Sequence, residues 1–111
     1  MQSKITNFHK VQAEIIKTLS HPVRIFIVTA LAKEDICVCD LTQKIGYSMS
    51  TVSKHLNVLK TAGIVETKKL KNNVYYHLKC KCVLNFLDCA GKVLNSCIKQ
   101  KVKLAKTRRE K

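Results

Sequence analysis

Apolar residues fall into helical register from Phe8 onward: Phe8, Val11, Ile15, Ile16 and Leu19 recur every three or four positions and predict an amphipathic helix ending near Ser20. Ser20 is placed to cap a second helix with His21-Pro22 in its first turn, where the missing N–H of proline costs nothing. Val23, Phe26, Ile27, Ala30 and Leu31 form its buried stripe. Glu34-Asp35 brings negative charge to the start of a third, short helix in which Val38, Leu41 and Ile45 share a face and Gly46 ends the run. Ser48 caps a fourth helix whose Met49, Val52, Leu56 and Leu59 make the apolar face, with Ala62-Gly63 as its stop. Two short helices joined by the tight turn Gly46-Tyr47-Ser48 form a helix-turn-helix.

The pattern then changes. Residues 64–70 and 74–78 are rich in β-branched and aromatic side chains and flank Lys71-Asn72-Asn73, a hairpin signal because Asn tolerates positive φ. Residues 82–98 return to the helical period, with Val83, Leu87, Ala90, Leu94, Cys97 and Ile98 on one stripe. The predicted fold is mainly α with a β-hairpin wing, a winged helix-turn-helix. A chain of 111 residues closes one core but not two, so the expected organisation is one domain over 1–98 and a basic tail over 99–111.

Charge narrows the partners. Lys and Arg number 21 against 7 Asp and Glu, a formal charge of +14, which calls for a polyanion: DNA, RNA or an anionic membrane surface. The tail supplies +6 of this, from seven basic residues and one acidic, but the other 98 residues still carry +8. Their lysines gather at 54, 60, 68, 69, 71, 79 and 81, as a docking face would require. No run of about 18 apolar residues could span a bilayer and the N-terminus lacks the apolar core of a secretory signal, so a cytoplasmic protein without a membrane partner is expected. Neither a Gly-rich phosphate loop nor H-E-x-x-H is present, and no nucleophile is paired locally with a base, which argues against an enzyme.

On the fourth helix, centring the core face on Val52 turns Ser50, Lys54, Asn57 and Thr61 outward. A short, polar outer face near a helix N-terminus suits the major groove, where hydroxyls and amides reach base edges. Ser50, Thr51, Ser53, Lys54 and Asn57 are therefore the candidate DNA contacts on this helix, and Lys68, Lys69 and Lys71 on the wing are candidates for phosphate. His55 lies nearer the core side, where a structural role competes with a phosphate contact.

Several segments, in order, resemble the ArsR/SmtB metal-sensing repressors: Leu19-Ser20-His21-Pro22-Val23-Arg24-Ile25, Asp35-Ile36-Cys37-Val38-Cys39-Asp40-Leu41, Ser50-Thr51-Val52-Ser53-Lys54-His55-Leu56 and Ala62-Gly63-Ile64-Val65, then the hairpin ending Tyr75-Tyr76-His77-Leu78. The resemblance covers about residues 8–98. It implies a homodimer paired through its first and last helices, bound as a repressor to a double-stranded DNA operator and released by a metal or metalloid. No organic cofactor is expected. Relatives with the Cys37-Val38-Cys39 pattern use the pair for arsenite, antimonite, cadmium or lead, which makes Cys37 and Cys39 the candidate ligands.

Six cysteines in a reducing compartment read as thiols, metal ligands or redox sensors rather than a disulfide framework. In an ideal helix Cys37 and Cys39 would point about 200° apart, so sharing one ion demands a distorted helix start or a ligand from elsewhere. Thr42 stands where arsenite-sensing relatives carry a third cysteine. A third thiolate would then come from Cys80, Cys82 or Cys89, within or across subunits. Cys82 and Cys89 lie about 10 Å apart along one helix edge, too far to share an ion within it. Cys97 falls in the apolar stripe and reads as core. Asp88 has no histidines at a suitable spacing, which speaks against a zinc or nickel site on the last helix. Two other inputs stay open: a thiol-redox or persulfide sensor on the same scaffold, and a basic RNA-binding or architectural protein with no signal input.

Overall fold

The computed structural model describes residues 3–93. They divide into two compact units, one through Cys80 and one from Lys81 onward. Helix α1 (Asn7–Leu19) starts in a capping box: Thr6 Oγ1 accepts from the His9 N–H at 3.3 Å, and His9 Nδ1 accepts from the Thr6 N–H at 3.0 Å. Of its apolar stripe only Leu19 is buried; Phe8, Val11, Ile15 and Ile16 are exposed within the described residues.

Helix α2 (Pro22–Leu31) has proline at its first position as expected, but His21, not Ser20, is its cap. The His21 Nδ1 accepts from the Val23 N–H at 3.2 Å, while the Ser20 hydroxyl donates back to the Lys17 carbonyl at 2.7 Å and closes α1 instead. Val23, Ile27, Val28 and Leu31 are buried; Phe26, expected in the stripe, is largely exposed.

The third helix begins later than the acidic pair Glu34-Asp35 suggested, because a strand intervenes. In β1 (Ile36–Cys37), Ile36 and Cys37 pair antiparallel with Tyr76 and Tyr75. Ile36 is β-branched and buried on the inner face, and the edge of the wing sheet satisfies its backbone. Helix α3 (Val38–Ile45) follows directly and ends at Gly46, whose φ of +82° only glycine adopts without strain.

In helix α4 (Met49–Thr61), Ser48 Oγ accepts from the Thr51 N–H at 3.2 Å and caps the first turn. Val52, Leu56 and Leu59 are fully buried against α2, α3 and the wing. Met49, read as the first residue of this apolar face, is 48% exposed: the packed stripe starts one turn further in. Strands β2 (Val65–Leu70) and β3 (Asn73–Leu78) form the wing, and the sheet runs in the order β1-β3-β2. Val65 pairs with Leu78 and Leu70 with Asn73, so the loop is only Lys71-Asn72, one residue shorter than expected. The positive φ falls on Lys71, at 58°, rather than on an asparagine. Residues 82–93 are helical as the period predicts; Leu94, Cys97, Ile98 and the basic tail lie outside the described residues.

One polar network ties three helices together. From α2, the Arg24 Nε–H donates to His55 Nδ1 on α4 at 3.1 Å, and another guanidinium N–H donates to the Thr18 carbonyl near the end of α1 at 3.0 Å. The His21 and His55 rings lie 4.3 Å apart. Accepting from Arg24 requires an unprotonated Nδ1 on His55. Burial, and then the neighbouring His21 and Arg24, hold the pKa of His55 below its ordinary value of 6.5.

Because the folded pKa is depressed, the network contributes its full stability above pH 6.5. That contribution is lost as pH falls from there through the folded value, since the unfolded chain takes up the proton first. Thermal unfolding from pH 7.5 to 5 should show this loss, and His55→Gln, whose side-chain oxygen still accepts from Arg24, should flatten the curve. An unchanged slope in the variant would remove His55 from the account. At the wing tip, Lys71→Gly should raise stability by about 1 kcal/mol, because a left-handed conformation costs an L-residue about that much. Denaturant unfolding measures it, and a destabilised variant would show that Lys71 makes compensating contacts.

Candidate nucleic-acid interface and thiol pair

The N-terminal half of α4 is built to be presented. Its inner face is locked by Val52 and Leu56, and half-buried His55 is held by Arg24, so the helix cannot roll without breaking that bond. Ser50, Ser53 and Lys54 are exposed on the free side. Thr51 is half-buried, and its Oγ1 accepts from the Ser48 hydroxyl at 2.9 Å, which leaves its own O–H free to donate. Asn57 lies further along and, with Thr61, borders an open groove of about 570 Å³ between α1 and α4, lined also by Val11, Ile15 and Val58. The candidate contacts thus separate into an N-terminal cluster at 50–54 and Asn57, two-thirds of the way down the helix.

On the wing, Lys68, Lys69 and Lys71 are all exposed. The register places Lys68 opposite Tyr75 and Lys69 opposite Val74, so the two side chains leave opposite faces of the hairpin, with Lys71 at the tip between them. A ribbon with cations on both faces and at its end can meet phosphates on either side of a groove. Exposed Leu70 (64%) and Val74 (40%) stand among these lysines; their alternation with charge is visible in the sequence, but their exposure is not.

Cys37 and Cys39 do not sit on an ideal helix. Cys37 ends β1 and is the N-cap of α3, with φ −80° and ψ 159°, while Cys39 is in the first helical turn. The angle of an ideal helix therefore does not apply to the pair, which straddles a strand-to-helix corner. Cys37 is half-buried, Cys39 is exposed, and both are free thiols. Thr42, at the position of the missing third cysteine, donates its hydroxyl to the Val38 carbonyl at 2.7 Å.

Cys80 lies two residues past the end of β3, and its thiol donates to the Gly63 carbonyl at 3.5 Å, at the end of α4. Cys82 and Cys89 are exposed in the second unit. Among the described residues no three His, Cys, Asp or Glu side chains are grouped to hold a metal ion. None of the described helices is long and apolar enough to cross a membrane.

Sequence reasoning missed the Asp35–His77 contact, which joins the residue before β1 to β3. The carboxylate can only accept, so His77 Nδ1–H donates to Asp35 Oδ1, at 2.6 Å. The only signal was indirect: residue 35 continues the register of β1 and falls opposite 77, but β1 itself was not foreseen.

Comparison with known proteins agrees with this architecture. The family model described as "Bacterial regulatory protein, arsR family" matches residues 21–67. A cadmium resistance transcriptional regulatory protein, CadC, of Listeria innocua is 40% identical over 89 residues, 78% of this chain and 75% of that protein. The biofilm growth-associated repressor of Xylella fastidiosa is 42% identical over 66 residues, 60% of this chain; the match spans only 58% of that relative's length. The crystal structure of Rv0081 from Mycobacterium tuberculosis superposes with a TM-score of 0.77 at 32% identity, covering 88% of this chain and 99% of that one. A winged helix-turn-helix with these matches in sequence and structure belongs to the ArsR family of bacterial regulatory proteins.

Proposed function

We propose that the chain is a homodimeric transcriptional repressor that binds a double-stranded DNA operator and lets go when a thiophilic metal or metalloid ion binds Cys37 and Cys39. The observation that carries this reading is the β1–α3 corner. It sets Cys37 at the end of a strand paired to the wing and Cys39 in the first turn of the helix preceding α4, so a change at the corner bears on both DNA-docking elements at once. Ser50, Thr51, Ser53 and Lys54 enter the major groove, with Asn57 behind them, and Lys68, Lys69 and Lys71 neutralise phosphates. The exposed apolar stripe of α1 supports the dimer, because Phe8, Val11, Ile15 and Ile16 have no cover within their own unit.

A soft ion is the inducer that fits two thiols, and cadmium, lead, arsenite and antimonite are the candidates. Two thiols are only part of a three- or four-coordinate site, so the remaining ligands come from solvent or from Cys80, Cys82 or Cys89 of the same or another subunit. The same shortage favours a second reading, in which the pair is oxidised or persulfidated and no ion is bound.

Reduced, metal-free protein titrated against a duplex selected from a randomised pool separates the two. Cadmium, lead or arsenite should weaken binding by about five- to 150-fold, the usual range of coupling between two sites. The double variant Cys37→Ser, Cys39→Ser should bind the duplex as wild type does and lose that response. Release by polysulfide alone would move the function to thiol oxidation, and normal metal release from the double variant would rule out both thiols as the sensor.

A further inference from the structure

The outer face of the wing sheet holds a polar cluster that DNA docking alone does not use. Cβ positions alternate along each strand, so the pairing of Glu66 with His77 and of Lys68 with Tyr75 and Cys37 puts all of these on one face. Asp35, two residues before Cys37, continues that face. Its carboxylate takes the 2.6 Å hydrogen bond from His77 on β3, and its other oxygen lies 3.9 Å from Lys68 Nζ on β2. One carboxylate therefore spans the sheet from the thiol-bearing strand to the far strand of the wing.

Lys68 is 56% exposed in this pose, so its ammonium can swing between Asp35 and a phosphate. Its stem carries several rotatable bonds, whereas Asp35 is short and held by His77. The lysine moves; the carboxylate stays. The other face of the hairpin offers Lys69 no comparable partner among the ion pairs of the described residues.

We propose that Asp35 is a positioning residue that competes with DNA for Lys68, so that the wing's phosphate contact and its tie to the Cys37 strand exclude one another. The proposal rests on the reading that the wing lysines dock on phosphate. When DNA takes Lys68, the Asp35–Lys68 attraction is given up; when the corner at Cys37 rearranges and carries Asp35 with it, the competition changes. The residue has no part in reading bases. Its effect is on how much one wing lysine contributes to affinity.

A double-variant cycle on the full chain tests this, with the selected duplex as probe and affinity measured across salt concentrations. Asp35→Asn should tighten binding about two- to fivefold, the range in which exposed ion pairs fall. It should also steepen the dependence of affinity on salt toward one further released counterion, a slope change of up to about 0.9. Lys68→Met should then cost about two- to fivefold more in the Asp35→Asn background than in wild type. Asp40→Asn removes the same charge from the exposed first turn of α3, without touching the Lys68–Asp35 pair, and serves as the control for net charge. A smaller effect from Asp40→Asn than from Asp35→Asn is expected.

Equal behaviour of the two aspartate variants, or an equal cost of Lys68→Met in both backgrounds, would overturn the proposal while leaving the repressor reading intact. Failure of the repressor reading looks different: wild-type protein would then retain no duplex at all, and both would fall. Circular dichroism melts of each variant show that they are folded before affinities are compared, and His77→Gln offers a second route to loosening Asp35 with the lysine untouched. It should raise the cost of Lys68→Met in the same direction.

Discussion

Ile36 and Cys37 stand opposite Tyr76 and Tyr75 in an antiparallel ladder, and this two-residue pairing determines where the helix-turn-helix begins relative to the wing. Without it, β2 and β3 would be a two-stranded hairpin, marginal on its own in water, held to the helices only by its inner face. With it, the sheet has three strands and an inner face of Ile36, Val65 and Leu78 that is buried on the helical core. The pairing also sets the first residue of α3, and hence the corner that carries Cys37 and, one residue into the helix, Cys39.

Much of this was legible from spacing alone. Helix α4 could be read because its inner positions, Val52, Leu56 and Leu59, are aliphatic and its boundaries are chemical: a serine that caps and a glycine that stops. The wing strands could be read from β-branched and aromatic alternation. Strand β1 could not, because two residues are too few to display a period and Ile36-Cys37 has no meaning as a strand until Tyr75 and Tyr76 are beside it. Glu34-Asp35 looked like the acidic first turn of a helix, while one of the pair is in fact the partner of a histidine 42 residues on. Tertiary pairing overrode a local signal.

The candidate site divides in the same way. Residues exposed on one helix, such as Ser50 and Lys54, follow from a wheel drawn on the sequence. Met49 does not, because the wheel gives its direction but not the point at which packing begins. The thiol pair was legible as a motif, but its place on a strand-to-helix corner follows only from the long-range pairing. Arg24 is a further case: its guanidinium joins α1, α2 and α4 through a histidine whose inward position the wheel suggested and whose partner it could not.

The uncovered stripe on α1 has a consequence for how such a protein meters its own abundance. Phe8 is 69% exposed and Val11 55%, and in the proposed dimer a second molecule removes this apolar area from water. Folded stability in the proposed dimer then becomes a function of copy number, because dilution returns the stripe to solvent. Occupancy of a two-fold operator would rise with roughly the square of protomer concentration while monomers predominate. A cell holding few copies would sit near the steep part of that curve, where halving the protomer concentration would lower occupancy about fourfold.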